Sequence, residues 1–110
     1  MNTIKAEKLK NKLDSETNFV LVNVLGRESY EAMHIPGSIN IPVNELEERA
    51  SDQLPDKDQE IIVYCASTSC HASDNAAKKL ENMGYNNVVD FEAGIAGWQK
   101  KEYELEGTSV

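Results

Sequence analysis

The sequence predicts an α/β domain in which helices cover a mainly parallel β-sheet. Segments of strand length alternate along the chain with segments whose apolar residues recur at helical spacing. Residues 19–23 (Phe-Val-Leu-Val-Asn) form an almost continuous apolar run, which is typical of a parallel strand covered on both faces. A chain of 110 residues can form one hydrophobic core but not two, so residues 1–110 are predicted to be a single domain.

The first part of the chain begins with a predicted amphipathic helix. Ile4, Leu9 and Leu13 fall on one helical face behind a candidate cap at Thr3, which favours a helix over residues 3–13. The next predicted segments are a strand at 19–23, a short helix at 28–33, a turn at Pro36-Gly37 and a strand at 38–41.

The second part repeats the alternation. Asn44 is followed three residues later by Glu47, which resembles a capping box and predicts a helix to about residue 51. Gly84 follows a helical pattern over residues 74–83 and is the expected C-terminal stop of that helix. The remaining predicted segments are strands at 61–64 and 88–91 and a last helical turn around Trp98.

Two cysteines lie between a predicted strand and a predicted helix. Cys65 directly follows the strand at 61–64, and Cys70 ends the run of small residues that comes after it. At such a junction, backbone N–H groups and the positive end of the helix converge on the thiol and lower its pKa from about 8.5 toward 7 or below. A pKa of about 6.5 would raise the thiolate fraction at neutral pH from about 3% to about 75%. Because ligand sites in parallel sheets lie beyond the carboxyl ends of the strands, Cys65 is predicted to mark the site.

Charge and composition restrict the partners and the location. The net charge of −8 and the pI near 4.7 disfavour nucleic acid and anionic membranes as partners. No segment approaches the roughly 20 apolar residues of a membrane span, and the first residues lack the layout of a secretory signal. Two free thiols in so short a chain fit a reducing compartment, so a cytoplasmic location is expected. A zinc site made of Cys65, Cys70, His71 and His34 is disfavoured, because one loop would supply three ligands at a non-standard spacing.

Four segments, in order, resemble the motifs of rhodanese-like domains. They are residues 20–24 (Val-Leu-Val-Asn-Val), residues 28–42 with the turn His-Ile-Pro-Gly, residues 61–65 ending at the cysteine, and residues 91–98 with Gly94 and Trp98. The resemblance extends from residue 3 to about residue 104. It implies a central sheet of four to five mainly parallel strands with helices on both faces.

The resemblance also implies a sulfurtransferase that carries sulfane sulfur as a persulfide on Cys65. The donor would be a small-molecule or protein persulfide, the acceptor a thiol or another nucleophile, and the covalent persulfide would need no separate cofactor or metal. A charged persulfide needs several N–H donors, and a loop of small residues lets the backbone curl into such a nest. The predicted persulfide-binding loop consists of Ala66, Ser67, Thr68, Ser69, Cys70 and His71.

The chain departs from the family pattern in its charges. The loop contains no cation unless His71 is protonated, and it is two residues longer than usual. The aspartate–valine–arginine triplet of the family is replaced here by Asn23-Val24-Leu25. Met33 stands where the family often has a glycine. Weak use of thiosulfate, a dianion, is therefore expected. The position at which related phosphatases carry the arginine of Cys-x5-Arg is His71, so phosphatase activity is disfavoured.

Several residues keep two interpretations on sequence alone. Cys65 is a nucleophile or a buried strand-end thiol. Cys70 resolves Cys65 into a disulfide or only fills space, and His71 orients a substrate or is a solvated loop residue. The alternative function is a non-catalytic rhodanese-like module that acts as a Cys65/Cys70 redox sensor or docks a protein.

Other residues carry expectations that do not involve the cysteines. We expect His34 to be structural and the aromatic residues Trp98, Phe91 and Tyr85 to be core. The acidic helix face at residues 45–52 is expected to be solvated or to dock a basic partner, and the tail at 104–110 is expected to fray.

Overall fold

The computed structural model describes residues 2–15 and 18–110 and contains five parallel strands. The strands lie in the order β1-β5-β4-β2-β3. Their bounds are β1 Asn2–Thr3, β2 Val20–Asn23, β3 Ile39–Asn40, β4 Ile61–Tyr64 and β5 Val88–Phe91. The helices are α1 Ala6–Asp14, α2 Arg27–Ala32, α3 Leu46–Gln53, α4 Ala72–Asn82 and α5 Gly94–Lys100, with a 3₁₀ turn at Val43–Glu45 before α3. The predicted α/β class and parallel sheet are confirmed.

Side chains on the two faces of the sheet form two hydrophobic cores, as alternation along a strand requires. In β4, Ile61 and Val63 face the core that contains α3 and α4, whereas Ile62 and Tyr64 face the core that contains α1 and α5. Helices therefore cover both faces, as the sequence predicted. Among the described residues, no helix has the length and apolar character needed to cross a bilayer.

The register aligns the carboxyl ends of the central strands. Asn23 pairs with Tyr64, and Tyr64 pairs with Phe91 in the neighbouring strand. The backbone therefore leaves three adjacent strands at one edge of the sheet. This edge is where a parallel sheet presents its ligand site.

The first residues differ from the prediction of a helix starting at residue 3. Asn2 and Thr3 instead form an edge strand whose register partners in β5 are Val89 and Asp90, and α1 begins at Ala6. A two-residue strand carries no periodicity of its own, so only the edge offered by β5 defines it. The predicted capping box is also wrong, because Asn44 lies within the 3₁₀ turn and makes no cap.

The tail is ordered, so the prediction that it frays is wrong. His34 and Glu106 form an antiparallel bridge in which each N–H donates to the other's carbonyl, at 2.8 and 2.9 Å. Thr108 N–H donates to the Glu31 carbonyl at 2.9 Å. Gly107, at a φ of +137°, brings the tail so close to the end of α2 that a Cβ there would collide with its backbone.

Candidate active site

Cys65 is fully buried at the carboxyl end of β4. Its Sγ lies 3.6 Å from the hydroxyl oxygen of Ser73, which is also buried, and 3.5 Å from the carbonyl oxygen of Cys70. Ser73 is in the first turn of α4. The sulfur therefore lies between the end of a strand and the start of a helix.

The N-terminus of α4 supplies positive potential without a basic side chain. The helix has eleven residues, begins at Ala72, and makes no side-chain cap at His71. A helix N-terminus favours an anion within its first turn, where Ser73 contacts the sulfur. His71 itself is exposed, which agrees with its interpretation as a solvated loop residue.

The loop between the cysteine and the helix folds back on itself. Cys70 N–H donates to the Ser67 carbonyl at 3.0 Å, and the hydroxyls of Ser67 and Ser69 are 3.0 Å apart. Within the described chain, no backbone acceptor takes the N–H of residues 66–69. These four amides are therefore available to a bound anion.

Helix α5 fixes this loop from the other side. Ile95 N–H donates to the Cys65 carbonyl at 3.0 Å, and Ala96 N–H donates to the Ala66 carbonyl at 2.8 Å. Gly94 permits this approach, because its φ is +61° and a Cβ there would overlap the Cys65 carbonyl oxygen. The motif around Gly94 thus acts on the backbone of the loop that follows Cys65.

Cys65 and Cys70 are joined in a disulfide, with a Cα–Cα distance of 6.4 Å. The expectation of two free thiols is therefore wrong for this state of the protein. The turn from Ser67 to Cys70 explains the pairing, since it brings Cys70 back over the buried sulfur. A bonded Cys65 has no free thiolate, and the site becomes nucleophilic only after reduction.

Comparison with known proteins identifies the family. The model of the rhodanese-like domain matches residues 5–101. This chain belongs to the rhodanese-like family. The BH2092 protein of Bacillus halodurans superimposes with a TM-score of 0.91 at 30% identity, covering 98% of this chain and 78% of that one.

Two relatives have names that refer to sulfur. The putative sulfur carrier protein YrkF of Bacillus subtilis is 33% identical over 98 residues, which are 89% of this chain and 51% of YrkF. The thiosulfate sulfurtransferase PspE of Escherichia coli is 37% identical over 67 residues, which are 61% of this chain and 62% of PspE. This rhodanese-like domain thus spans less than two thirds of the length of either relative.

A buried carboxyl lies in β5, the strand next to β4, in this rhodanese-like domain. Asp90 in β5 is 2% exposed, and its Oδ1 has no hydrogen-bond partner among the described residues. Burial raises the pKa of this carboxyl, and the charges of Glu92 and Asp74 act in the same direction, whereas a hydrogen bond from Ser73 opposes the rise. The sequence pattern predicts neither Asp90 nor Ser73 as a site residue. The acidic residue inside the otherwise apolar segment 88–91 is a sequence signal that could have pointed to Asp90.

The rhodanese-like triplet position holds a polar network instead of a charged pair. Asn23 is buried, donates through Nδ2 to the Tyr64 hydroxyl at 3.1 Å, and accepts the Leu25 N–H at 2.9 Å. The same hydroxyl accepts the Ile35 N–H at 3.0 Å and contacts the Ser38 hydroxyl at 2.9 Å. The network joins the ends of β2 and β4 to the turn before β3.

His34 and Trp98 make structural contacts, as expected, and one residue of the acidic face is paired. His34 stacks on Tyr30 at 4.0 Å between ring centroids, and its Nδ1 lies 2.7 Å from the Tyr30 carbonyl oxygen. Trp98 is buried and donates to the Glu104 carbonyl at 2.7 Å. On the acidic face, Glu47 is paired with Lys79 at 2.7 Å.

A groove of about 620 Å³ borders the loop that follows Cys65, at Thr68. Its lining includes three lysines, at positions 5, 100 and 101, and two glutamates, at positions 7 and 92. Lys101 is paired with Glu7 at 3.1 Å. The groove therefore carries both signs of charge and supplies no concentrated positive potential to replace the missing loop cations.

Proposed function

We propose that this domain is a sulfurtransferase that carries sulfane sulfur as a persulfide on Cys65. The observation that carries the proposal is the buried sulfur at the end of β4, 3.6 Å from Ser73 in the first turn of α4. Membership of the rhodanese-like family and relatives named as a sulfur carrier and a sulfurtransferase support it.

Loading begins with the reduced Cys65 thiolate. The thiolate attacks the outer sulfur of a donor persulfide, and a bond forms between the Cys65 sulfur and that outer sulfur. The bond between the two donor sulfurs breaks, and its electron pair leaves with the donor thiolate. The Ser73 hydroxyl, the start of α4 and the free amides of residues 66–69 are the groups available to stabilise the negative charge.

Unloading reverses these roles. An acceptor thiolate attacks the outer sulfur of the persulfide, a new bond forms to the acceptor, and the electron pair of the broken bond returns to Cys65. The Cys65 thiolate consumed in loading is regenerated in unloading. Sulfur transfer therefore needs no external oxidant or reductant once Cys65 is reduced. Donor and acceptor are a small molecule or a protein, for which YrkF as a named sulfur carrier gives a precedent.

The charge of the site favours donors that carry little negative charge. The loop has no lysine or arginine, and the adjoining groove sets two glutamates against its three lysines. Thiosulfate, with two negative charges, gains little from such a site. We therefore propose weak transfer from thiosulfate and faster transfer from low-charge or protein-bound persulfides.

Sulfur loading is tested by mass spectrometry of the reduced protein after incubation with glutathione persulfide. The peptide that contains Cys65 is expected to gain about 32 Da for each sulfur. Cys65→Ser should not load, whereas Cys70→Ser should load at least as well as the wild type. Equal loading of Cys65→Ser and wild type would contradict the assignment of Cys65.

A second candidate function is favoured by the disulfide itself. In a redox sensor, oxidation of Cys65 to a sulfenic acid would be followed by attack of the Cys70 thiolate, with formation of the disulfide and release of water. The Cα–Cα distance of 6.4 Å is compatible with the bond. Mild peroxide would then convert the two thiols rapidly to the disulfide, with a mass loss of about 2 Da. The protein would catalyse no sulfur transfer from any persulfide donor. Measurable transfer catalysed by the reduced protein would contradict a purely sensing role.

A further inference from the structure

The disulfide shows which atom the Cys70 sulfur can reach. It is bonded to the Sγ of Cys65, and the Cα–Cα distance of 6.4 Å lies within the ordinary range for such a bond. The turn in which the Cys70 N–H donates to the Ser67 carbonyl at 3.0 Å brings the two cysteines together. In the reduced protein, the same backbone turn would hold a second thiol next to the Cys65 sulfur.

The two sulfurs differ in their exposure to solvent. Cys65 is fully buried, whereas Cys70 is half-buried at the border of the core that contains α3 and α4. An acceptor from solution therefore reaches the outer sulfur of a Cys65 persulfide more easily than the buried inner sulfur, which is Sγ itself. Cys70 reaches that inner sulfur from within the protein, because the disulfide joins the same two atoms.

The sulfur that a nucleophile attacks determines the product. Attack on the outer sulfur transfers this sulfur to the nucleophile, whereas attack on the inner sulfur displaces the outer sulfur as hydrosulfide. A thiol of the same chain also acts at a high effective concentration, because no bimolecular encounter is needed. Burial of Cys65 thus directs external acceptors to sulfur transfer and leaves the inner sulfur to Cys70.

We propose that Cys70 is a second catalytic residue, which displaces the sulfane sulfur of the Cys65 persulfide as hydrosulfide. The inference rests on the proposed function, because it needs a loaded Cys65. It adds a further activity, the release of sulfide from persulfides, which operates when no acceptor takes the outer sulfur. It differs from the redox sensor because the sulfane sulfur, rather than peroxide, oxidises the two cysteines.

The step begins with the Cys70 thiolate and the protonated persulfide. The thiolate attacks the Cys65 Sγ, and a bond forms between the two cysteine sulfurs. The bond between Sγ and the outer sulfur breaks, and its electron pair leaves with the outer sulfur and its proton as HS⁻. The sulfane sulfur is reduced to sulfide and the two cysteine sulfurs are oxidised, so that the product is the disulfide of this structure.

A dithiol reductant is the co-reactant that restores the site. One of its thiolates attacks the half-buried Cys70 sulfur, and the electron pair of the disulfide leaves with Cys65. The second thiol of the reductant then releases Cys70. Each turnover converts one persulfide and one dithiol into a thiol, hydrogen sulfide and an oxidised dithiol.

A single turnover followed by mass spectrometry tests the release step. Trypsin should yield both cysteines in one peptide, residues 58–78, so one mass reports the persulfide and the disulfide. Reduced wild type is mixed with one equivalent of glutathione persulfide and quenched in acid at intervals, with the donor alone as the blank. The loaded peptide should lose about 34 Da, the mass of hydrogen sulfide, while about one sulfide appears in solution for each loaded protein. The first-order rate should not change with protein concentration, because the attack is intramolecular.

Cys70→Ser is the matched control, because it removes the second thiol and keeps a small polar side chain. Its persulfide should persist at least ten times longer than that of the wild type, with the peptide still about 32 Da heavier. Equal sulfide release from the two proteins, or a wild-type persulfide as stable as that of the variant, would overturn the proposal.

The outcomes separate this inference from the proposed function. If both proteins keep the persulfide and pass its sulfur to an acceptor thiol, the role of Cys70 fails and sulfur transfer stands. If the wild type releases sulfide and forms the disulfide but neither protein supplies an acceptor, sulfur transfer fails and sulfide release stands. If neither protein gains sulfur, both proposals fail.

Discussion

At the scale of single residues, the Tyr64 hydroxyl joins three segments next to the site. It accepts hydrogen bonds from Asn23 and Ile35 and contacts Ser38, and burial raises its pKa, so that it stays protonated at neutral pH. A phenylalanine at this position would leave two buried donors without an acceptor.

Tyr64→Phe is therefore expected to lower the free energy of unfolding by about 1–3 kcal/mol in urea denaturation. Tyr103→Phe is the matched control, because the Tyr103 hydroxyl makes no hydrogen bond among the described residues. Equal losses in the two variants would show that the network does not stabilise the fold.

Asp90 should also affect how stability depends on pH. Its pKa is raised in the folded protein, so its favourable contribution is complete below the pKa of the unfolded chain and is lost as the pH rises through the folded pKa. Asp90→Asn should then be more stable than wild type by about 1–2 kcal/mol at pH 8, and the difference should vanish near pH 3. The exposed Asp52→Asn is the control. A difference that does not change with pH would contradict the raised pKa.

Residue roles were predictable from the sequence to different degrees. The buried position of Cys65 at the end of β4 followed from its place after an apolar strand segment and from the family resemblance, and its role stays a prediction. The contact of Ser73 with the sulfur depends on how α4 is set against β4, and spacing alone does not fix that angle. Asn23 was interpreted as a lost charge, but the structure gives it a hydrogen-bonding role that becomes visible only when Tyr64 is its neighbour.

At the scale of elements, the loop that follows Cys65 depends on α5. Two amides of α5 hold the carbonyls of Cys65 and Ala66, and Gly94 makes room for that contact. A side chain at Gly94 would both strain a φ of +61° and push on the loop backbone.

Gly94→Ala should lower the free energy of unfolding by about 2 kcal/mol or more and reduce sulfur loading at least tenfold. Gly26→Ala is the matched control, because a Cβ at Gly26 meets nothing within 4 Å and its φ is −63°. Stability and loading unchanged in Gly94→Ala would contradict the role of α5.

Elements were predicted best where burial alone defines them. The strands at 61–64 and 88–91 match β4 and β5 to the residue, because both are fully buried. Gly84 follows the C-terminal end of α4, as predicted, and has a φ of +96°. The two-residue β1 and the ordered tail depend on contacts with distant segments, β5 and α2, which no local pattern records.

At the scale of the whole molecule, the negative charge selects what approaches the site. The chain carries a net charge of −8. This is tested by alkylating Cys65 in a reduced Cys70→Ser background with iodoacetate, which is an anion, and with neutral iodoacetamide. The rate with iodoacetate divided by the rate with iodoacetamide should rise at least twofold between about 20 and 300 mM salt, because screening weakens the repulsion of the anion. A ratio that does not change with salt would mean that the charge of the protein does not affect the approach of an anion to Cys65.

The order of the strands lay beyond sequence periodicity. The alternation of elements predicted a parallel sheet, but five strands can be arranged in many orders, and the resemblance to rhodanese-like domains supplied the expected architecture. The disulfide likewise depends on the turn of the loop, because Cys-x4-Cys spacing allows bonded and separate thiols alike.

We propose that main-chain and hydroxyl donors, without a basic side chain, keep the Cys65 sulfur ionised. The most direct test is the ultraviolet titration of the reduced Cys70→Ser variant, in which Cys65 is the sole thiol. We expect a midpoint at about pH 7 or below. An ordinary midpoint near pH 8.5 would contradict it.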